Sequence, residues 1–319
     1  MKKTKEMKFS SIFADHIANF IVLKQNLGYR FEKQPEILKL FDNYLCEINY
    51  QGFLTQDLAL AFATSNPDSA RNECVKKYQT IRLFSDYLSV YFPETEHLNP
   101  DAIRKIKGRA TAYIFQDEEI TLIMKGARNI KNPLRSITLY TIIGLAASTG
   151  MRISEIVNLN RRDVNLEAGV ILIRCTKFQK DRLVAVHPTT LEVLRDYITM
   201  RDIRFPSPIS RAFFVHMFGK RFQSQTLSGE FTKLARSVGV RQGVGFGPRF
   251  HDLRHTFAVK RLVSWYRDGK EVQAMLPLLA TFMGHVNYSN TAYYLTATAE
   301  LLGIAAEKYD EFLKKEGQR

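Results

Sequence analysis

Cysteine is scarce in this chain, tryptophan occurs once, and acidic residues are short relative to basic ones. The three cysteines, Cys46, Cys74 and Cys175, are odd in number and share no metal-ligand spacing. That argues against a disulfide framework or a cysteine-based zinc site, and it fits a reducing compartment. Long hydrophobic runs are missing too. The longest mostly apolar stretch, residues 139–147, falls well short of the ~20 residues that a bilayer crossing needs. The opening MKKTKEMKFSS carries the charge of a signal-peptide start, yet no apolar stretch of the needed length follows it. No internal repeat or low-complexity tract is present. The expectation is a soluble protein of the bacterial cytoplasm or nucleoid, with no membrane partner.

What the chain does have is positive charge. Its 46 lysines and arginines against 32 aspartates and glutamates leave a net of +14, which points to a polyanionic partner or to a well-solvated basic enzyme. The charge is uneven. Residues 1–107 hold 15 basic against 13 acidic residues, a net of +2, and residues 108–319 hold 31 against 19, a net of +12. If the partner is DNA, most of the electrostatic footprint belongs to the second segment.

A length of 319 residues suits two domains. The first hundred residues read as amphipathic helices at 12–28, 35–48, 54–63 and 69–92, with apolar residues at helical period. Pro93, Pro100 and a basic stretch at 104–109 then read as a linker. Beyond it, helical patterns occur at 117–125, 136–147, 189–204, 227–238, 251–267, 276–283 (Pro277 in its first turn), 290–296 and 300–315. Two short β-branched runs, 170–174 and 183–186, flank the polar turn 177–182 and predict a hairpin. Residues 241–249 are rich in glycine and predict a loop. The expected fold is mainly α with a small β-hairpin or sheet, divided into a helical domain over 1–107 and a mixed α/β domain over 108–319.

Four separated pieces carry chemistry. The first runs from Ser148 to Glu155: Gly150 permits a tight turn, and Arg152 starts a helix on which Glu155, three residues on, can orient its guanidinium. Alone, such a pair reads as a surface salt bridge. The second is the turn holding Lys177 and Lys180, where most lysines simply face water. The third is His251-Asp-Leu-Arg254-His255, whose residues at i, i+3 and i+4 share one helical face. Histidines at i and i+4 can chelate a metal, but no glutamate stands between them as in a zincin, and the arginine on that face repels a cation and attracts a phosphate. The fourth is Gly284-His285, followed by Tyr293 and Tyr294 on a short helix; a tyrosine pair there reads by itself as packing.

Together these residues form a set able to transfer a phosphoryl group without a metal. Arginines grip nonbridging oxygens and stabilise charge on a phosphorane. A phenol with a pKa near 10 needs deprotonation and positioning, which a histidine can assist. A lysine whose pKa is lowered by neighbouring cations can protonate a leaving oxygen.

The ordered set resembles the tyrosine recombinase (phage integrase) family, whose pattern is T-G-x-R-x-x-E, a hairpin-turn lysine, H-x-x-R, G-H, and a tyrosine nine residues after that histidine. Here those are Arg152 with Glu155, Lys177, His251 with Arg254, Gly284-His285, and Tyr294. The match covers roughly residues 115–310, with a weaker likeness of the N-terminal helices to the family's core-binding domain. The resemblance implies that Tyr294 attacks the scissile phosphate to give a 3′-phosphotyrosyl intermediate. Arg152, Arg254 and His285 then hold the phosphate, Lys177 protonates the leaving oxygen and His251 serves in acid–base transfer. Neither a metal nor ATP is required. It also implies a monomer without DNA, a homotetramer acting on two double-stranded sites through a Holliday junction, and a tail helix at 300–315 that docks on a neighbouring protomer. The spacing from Arg254 to Gly284 is long for a Xer-type enzyme, and no arm-binding domain has room before the helices. The spacing favours a recombinase of a mobile element over a Xer-like resolvase, and the lack of room for an arm-binding domain sets the chain apart from the larger phage integrases. A type IB topoisomerase, or a DNA-binding accessory protein with a decayed site, are the competing expectations.

Overall fold

The computed structural model describes residues 7–29, 31–104, 112–174, 181–242, 247–285, 289–296 and 303. Two compact units divide the chain, Met1–Arg109 and Ala110–Arg319.

The first unit is built from α1 (Ala14–Asn26), α2 (Gln34–Glu47), α3 (Gln56–Thr64) and α4 (Arg71–Leu88). Their apolar faces bury one core that includes Ile17, Phe20, Leu38, Phe41, Phe62, Tyr78 and Phe84. Helix α3 starts cleanly because the Thr55 hydroxyl accepts a bond from the Leu58 N–H at 3.3 Å. Asp42 is fully buried in α2 and accepts from the N–H groups of Ser10 and Ser11 at 3.0 and 2.9 Å and from Lys39 Nζ at 2.8 Å. Burial pushes its carboxyl up, but these donors outweigh it and hold the pKa below the ordinary 3.8.

The second unit is mostly helical around a small sheet: α5 (Asp117–Arg128), α6 (Pro133–Thr149), α7 (Ile153–Asn158), β1 (Val164–Asn165), β2 (Val170–Ile173), β3 (Arg182–Ala185), α8 (Pro188–Arg204), α9 (Ser224–Ser237), α10 (Asp252–Arg267), α11 (Val272–Met283) and α12 (Ser289–Ala292), followed by a 3-10 turn, Tyr293–Thr296. Helix α6 packs against α5, α8 and α10 and is buried around most of its circumference. Its Thr138 and Thr141 can sit in that apolar setting because each hydroxyl donates to the carbonyl four residues back, Leu134 at 2.5 Å and Ile137 at 2.7 Å.

The sheet is antiparallel in the order β1-β2-β3, with Ile171 opposite Val184 and Ile173 opposite Arg182. Ile171, Ile173 and Val184 are buried while Leu183 is exposed, so period two places Arg182 on the inward face with Val184. The mainly α fold with a small sheet is as expected, but β1 had no signal beyond two residues. Helix α11 also begins four residues earlier than Pro277 suggested. Its buried positions Val272, Leu276, Leu279, Ala280 and Met283 run straight through the proline, and burial of that face offsets the missing N–H. Trp265 is buried near the end of α10, which stops at Arg267, and Gly269 follows in the left-handed region. The helix expected at 290–296 divides into α12 and the 3-10 turn. The loop expected at 241–249 is neither helix nor strand where described; residues 243–246 and the tail helix expected at 300–315, apart from residue 303, lie outside the described residues.

Candidate active site

Gly150 ends α6 with φ +63, and a Cβ there would lie 2.6 Å from the Phe257 ring. Only glycine fits both demands. Arg152 is then extended and precedes α7, where Glu155 turns back to it. Glu155 Oε2 accepts the Arg152 N–H at 2.8 Å, and Oε1 accepts from the Arg152 guanidinium at 2.8 Å. The pairing expected from the i, i+3 spacing is therefore present, and the same carboxylate does more. Arg182 donates to both of its oxygens, at 2.9 and 2.8 Å. Burial raises the Glu155 carboxyl, yet Arg182 first and Arg152 second outweigh it and hold the pKa below 4.5.

The end of α11 supplies the opposite wall. Gly284 closes that helix in the left-handed region at φ +67; its N–H bonds the Thr281 carbonyl at 3.0 Å and the His285 N–H bonds Ala280 at 2.9 Å. This double bond pattern is a Schellman motif, and it sets the direction in which His285 leaves the helix. Three guanidiniums then gather on the last carbonyls. Arg182 Nε donates to Phe282 at 2.9 Å, Arg254 Nη2 to Met283 at 2.7 Å and Arg152 Nη2 to Gly284 at 3.0 Å. Orphan carbonyls at a helix C-terminus carry partial negative charge, so cations are favoured there. Arg254 is 2% exposed and also donates to the Gly150 carbonyl at 2.7 Å. Burial, then the charge of Arg152, lowers its pKa to about 10, which leaves it charged at neutral pH.

Helix α10 brings His251, Arg254 and His255 to one face. The rings of His251 and His255 meet edge to face at 4.9 Å between centroids. His255 Nδ1 lies 3.1 Å from the Tyr294 hydroxyl. Tyr294 itself is 3% exposed, and its ring is stacked on His285 with centroids 6.1 Å apart. His285 Nδ1 is bonded to Thr291 Oγ1 at 2.8 Å. Burial, followed by the charges of Arg254, Arg152 and Arg182, pushes His285 down to about 3. His251 keeps an exposed edge, but desolvation of the rest of its ring, then His255 and Arg254, lowers it to about 4. Both imidazoles are neutral at pH 7 in the absence of an anion. Among the described residues no cluster of histidine, cysteine and carboxylate is arranged to hold a metal.

Of the residues singled out from sequence, Arg152, Glu155, His251, Arg254, His285 and Tyr294 come together here. Lys177 and Lys180 lie outside the described residues, and for Tyr293 only the backbone is described. Two members of the cluster were not anticipated as site residues. Arg182 reads from sequence as the end of a turn, although its alternation with Val184 and Val186 places it in phase with inward positions. His255 shares the helical face of His251 and Arg254, but nothing local tells which histidine faces the tyrosine.

The model of the Phage integrase family matches residues 114–300. Among relatives, y4rE of Sinorhizobium fredii, described as an integrase/recombinase, is 39% identical over 94% of this chain and 96% of its own length. The tyrosine recombinase XerC of Thermodesulfovibrio yellowstonii is 28% identical over 70% of this chain and 71% of its own. Two solved structures share the fold. XerH bound to a palindromic difH substrate has a TM-score of 0.66 at 17% identity, covering 92% of this chain and 84% of that one. The Tn1549 transposon integrase with transposon right end DNA gives 0.65 at 14%, covering 93% and 98%. No described helix is long and apolar enough to cross a membrane. With more than half of the chain inside the family model and a relative of this identity along almost its whole length, the chain belongs to the phage integrase family and is a tyrosine recombinase.

Proposed function

We propose that this recombinase cuts and rejoins double-stranded DNA at specific sites through a 3′-phosphotyrosyl intermediate on Tyr294, and that it serves the integration, excision or transposition of a mobile element. The observation that carries the chemistry is convergence. Five segments far apart in sequence deliver two arginines, a third arginine paired to Glu155, neutral histidines and a buried phenol to one site. Arg152 and Arg254 present guanidiniums that can exchange helix-end carbonyls for the nonbridging oxygens of a phosphate. His285, its pKa lowered by burial and then by the charges of the same arginines, is neutral and can donate a further hydrogen bond. His251 takes part in proton transfer, and Lys177 protonates the leaving 5′-oxygen. The phosphodiester energy stays in the tyrosyl bond, so no ATP is consumed.

The N-terminal unit, residues 1–107 in this reading, is the core-binding domain, and residues 108–319 carry catalysis and most of the positive charge. The assembly on DNA is a homotetramer spanning two sites. The mobile-element role is supported by the higher identity to the y4rE integrase/recombinase than to XerC. The test uses nicked duplexes tiled across the DNA that flanks the gene, together with a random-sequence nicked pool. Wild type gives a covalent adduct, Tyr293→Phe still gives it, and Tyr294→Phe gives none. A requirement for a specific sequence and a second site separates this reading from a topoisomerase acting alone. Wild type that never forms an adduct overturns it.

A further inference from the structure

We propose that His255 is a catalytic residue: its Nδ1 takes the proton of the Tyr294 hydroxyl as the phenol attacks phosphorus. The inference rests on the reading of Tyr294 as nucleophile and adds a group that the family pattern of Arg152, Lys177, His251, Arg254, His285 and Tyr294 does not contain.

Two histidines meet Tyr294 and a third packs on one of them, and the geometry separates their roles. His285 commits its Nδ1 to Thr291 and meets Tyr294 ring on ring, a packing contact. His251 packs edge-on against His255, so it adjoins the tyrosine's hydrogen-bond partner. His255 places a ring nitrogen 3.1 Å from the hydroxyl oxygen, within the reach that a general base requires. With its hydrogen on Nε2, Nδ1 accepts from the phenol. The platform is stiff. One residue beyond His255, Thr256 accepts from the Phe115 N–H at 2.9 Å and donates to the Asp252 carbonyl at 2.8 Å. One residue before it, Arg254 bridges the carbonyls of Gly150 and Met283. His255 is thus set between two residues that pin α10 to the elements around the site.

The step balances. The Tyr294 oxygen–phosphorus bond forms, the phosphorus–5′-oxygen bond breaks, the phenolic proton passes to His255 Nδ1, and the departing oxygen takes a proton from Lys177. Religation runs the same transfers backwards. A phenol near its ordinary pKa of 10 is almost wholly protonated at pH 7, and a positioned base contributes on the order of 10²–10⁴-fold.

The test measures the rate of adduct formation on the nicked duplexes with wild type, His255→Ala, His255→Asn, Lys177→Ala and Tyr294→Phe, each checked for folding by its melting transition. His255→Ala and His255→Asn should slow the adduct about 10²-fold or more, and added imidazole should restore part of the rate to His255→Ala. Replacing the bridging 5′-oxygen with sulfur, a leaving group that needs no proton, should rescue Lys177→Ala and leave both His255 variants slow. His255→Asn, which keeps an acceptor but cannot take up the proton, guards against a failure of His255→Ala to fold. The proposal is overturned if a folded His255 variant matches or exceeds wild type, or if sulfur rescues it. Adduct persisting in Tyr294→Phe instead overturns the choice of nucleophile.

Discussion

Replacing Gly284 with alanine probes the joint on which the cluster is assembled. Gly284 sits at φ +67, where a side chain is strained, and a built Cβ lies 2.6 Å from Arg182 Nη1 and 2.9 Å from its Cζ. Strain alone costs roughly 1–2 kcal/mol. The contact adds more, because Arg182 cannot retreat without loosening two charged bonds to Glu155 and one to the Phe282 carbonyl. Each bond of that kind is worth about 1.5–3 kcal/mol; allowing for partial re-formation, the added cost is about 2–3 kcal/mol and the total roughly 3–5 kcal/mol.

Gly269 supplies the control. It ends α10 at φ +68 with the same pair of backbone bonds, to Tyr266 and from Lys270 to Trp265, and a Cβ there meets nothing within 4 Å. Gly269→Ala should therefore cost only the strain. Urea unfolding of both variants, and of each glycine change in an Arg182→Ala background, forms a double-mutant cycle. Gly284→Ala should fall to the cost of Gly269→Ala once Arg182 is gone. Equal costs in the wild-type background, or an unchanged cost without Arg182, would refute the account of Gly284 as a residue cleared for Arg182.

Among the described residues, Glu155 is the carboxylate paired with Arg152 and Arg182, so Glu155→Gln breaks a buried pair and should cost about 3–5 kcal/mol in urea unfolding; a change under 1 kcal/mol would mean the site tolerates unbalanced guanidiniums. Acid should destabilise the protein in two stages. His251 and His285 are held far below their ordinary 6.5, so their share of stability is present above that pH and drains away as pH falls toward about 4 and about 3. Asp42 and Glu155 are held below 3.8 and 4.5, so their share persists above those values and is lost only below them. Melting temperature followed from pH 8 to 3 should slope below 6.5, and His285→Asn should flatten that upper slope.

Most of the site was legible because it is local. The pairing of Arg152 with Glu155 follows from a three-residue step at a helix start, and the shared face of His251 and Arg254 from helical period. Gly284 before His285 announces a helix end that aims the next side chain. Arg182 was hidden because its role depends on which strand it faces, a matter of register with Ile173 rather than of composition. His255 was hidden for a similar reason: His251 and His255 occupy one face, and only the docking of the Tyr294 turn chooses between them. Pro277 misled in the other direction, since a proline tolerated inside a buried helix leaves the same mark as one at a helix start.

The gathering of Arg152, Arg182 and Arg254 on the carbonyls of Phe282, Met283 and Gly284 has a thermodynamic consequence. On the proposed role of Arg152 and Arg254 as the phosphate clamp, that clamp is already occupied by a piece of its own chain before any nucleic acid arrives. Loading a phosphate is then an exchange of acceptors rather than the filling of a vacancy, and the helix end has to be released in the same event. A small free anion must meet the cost of that release from its few contacts alone. A duplex can meet the release with contacts spread along its backbone, so the occupied clamp acts as a filter on size as well as on charge.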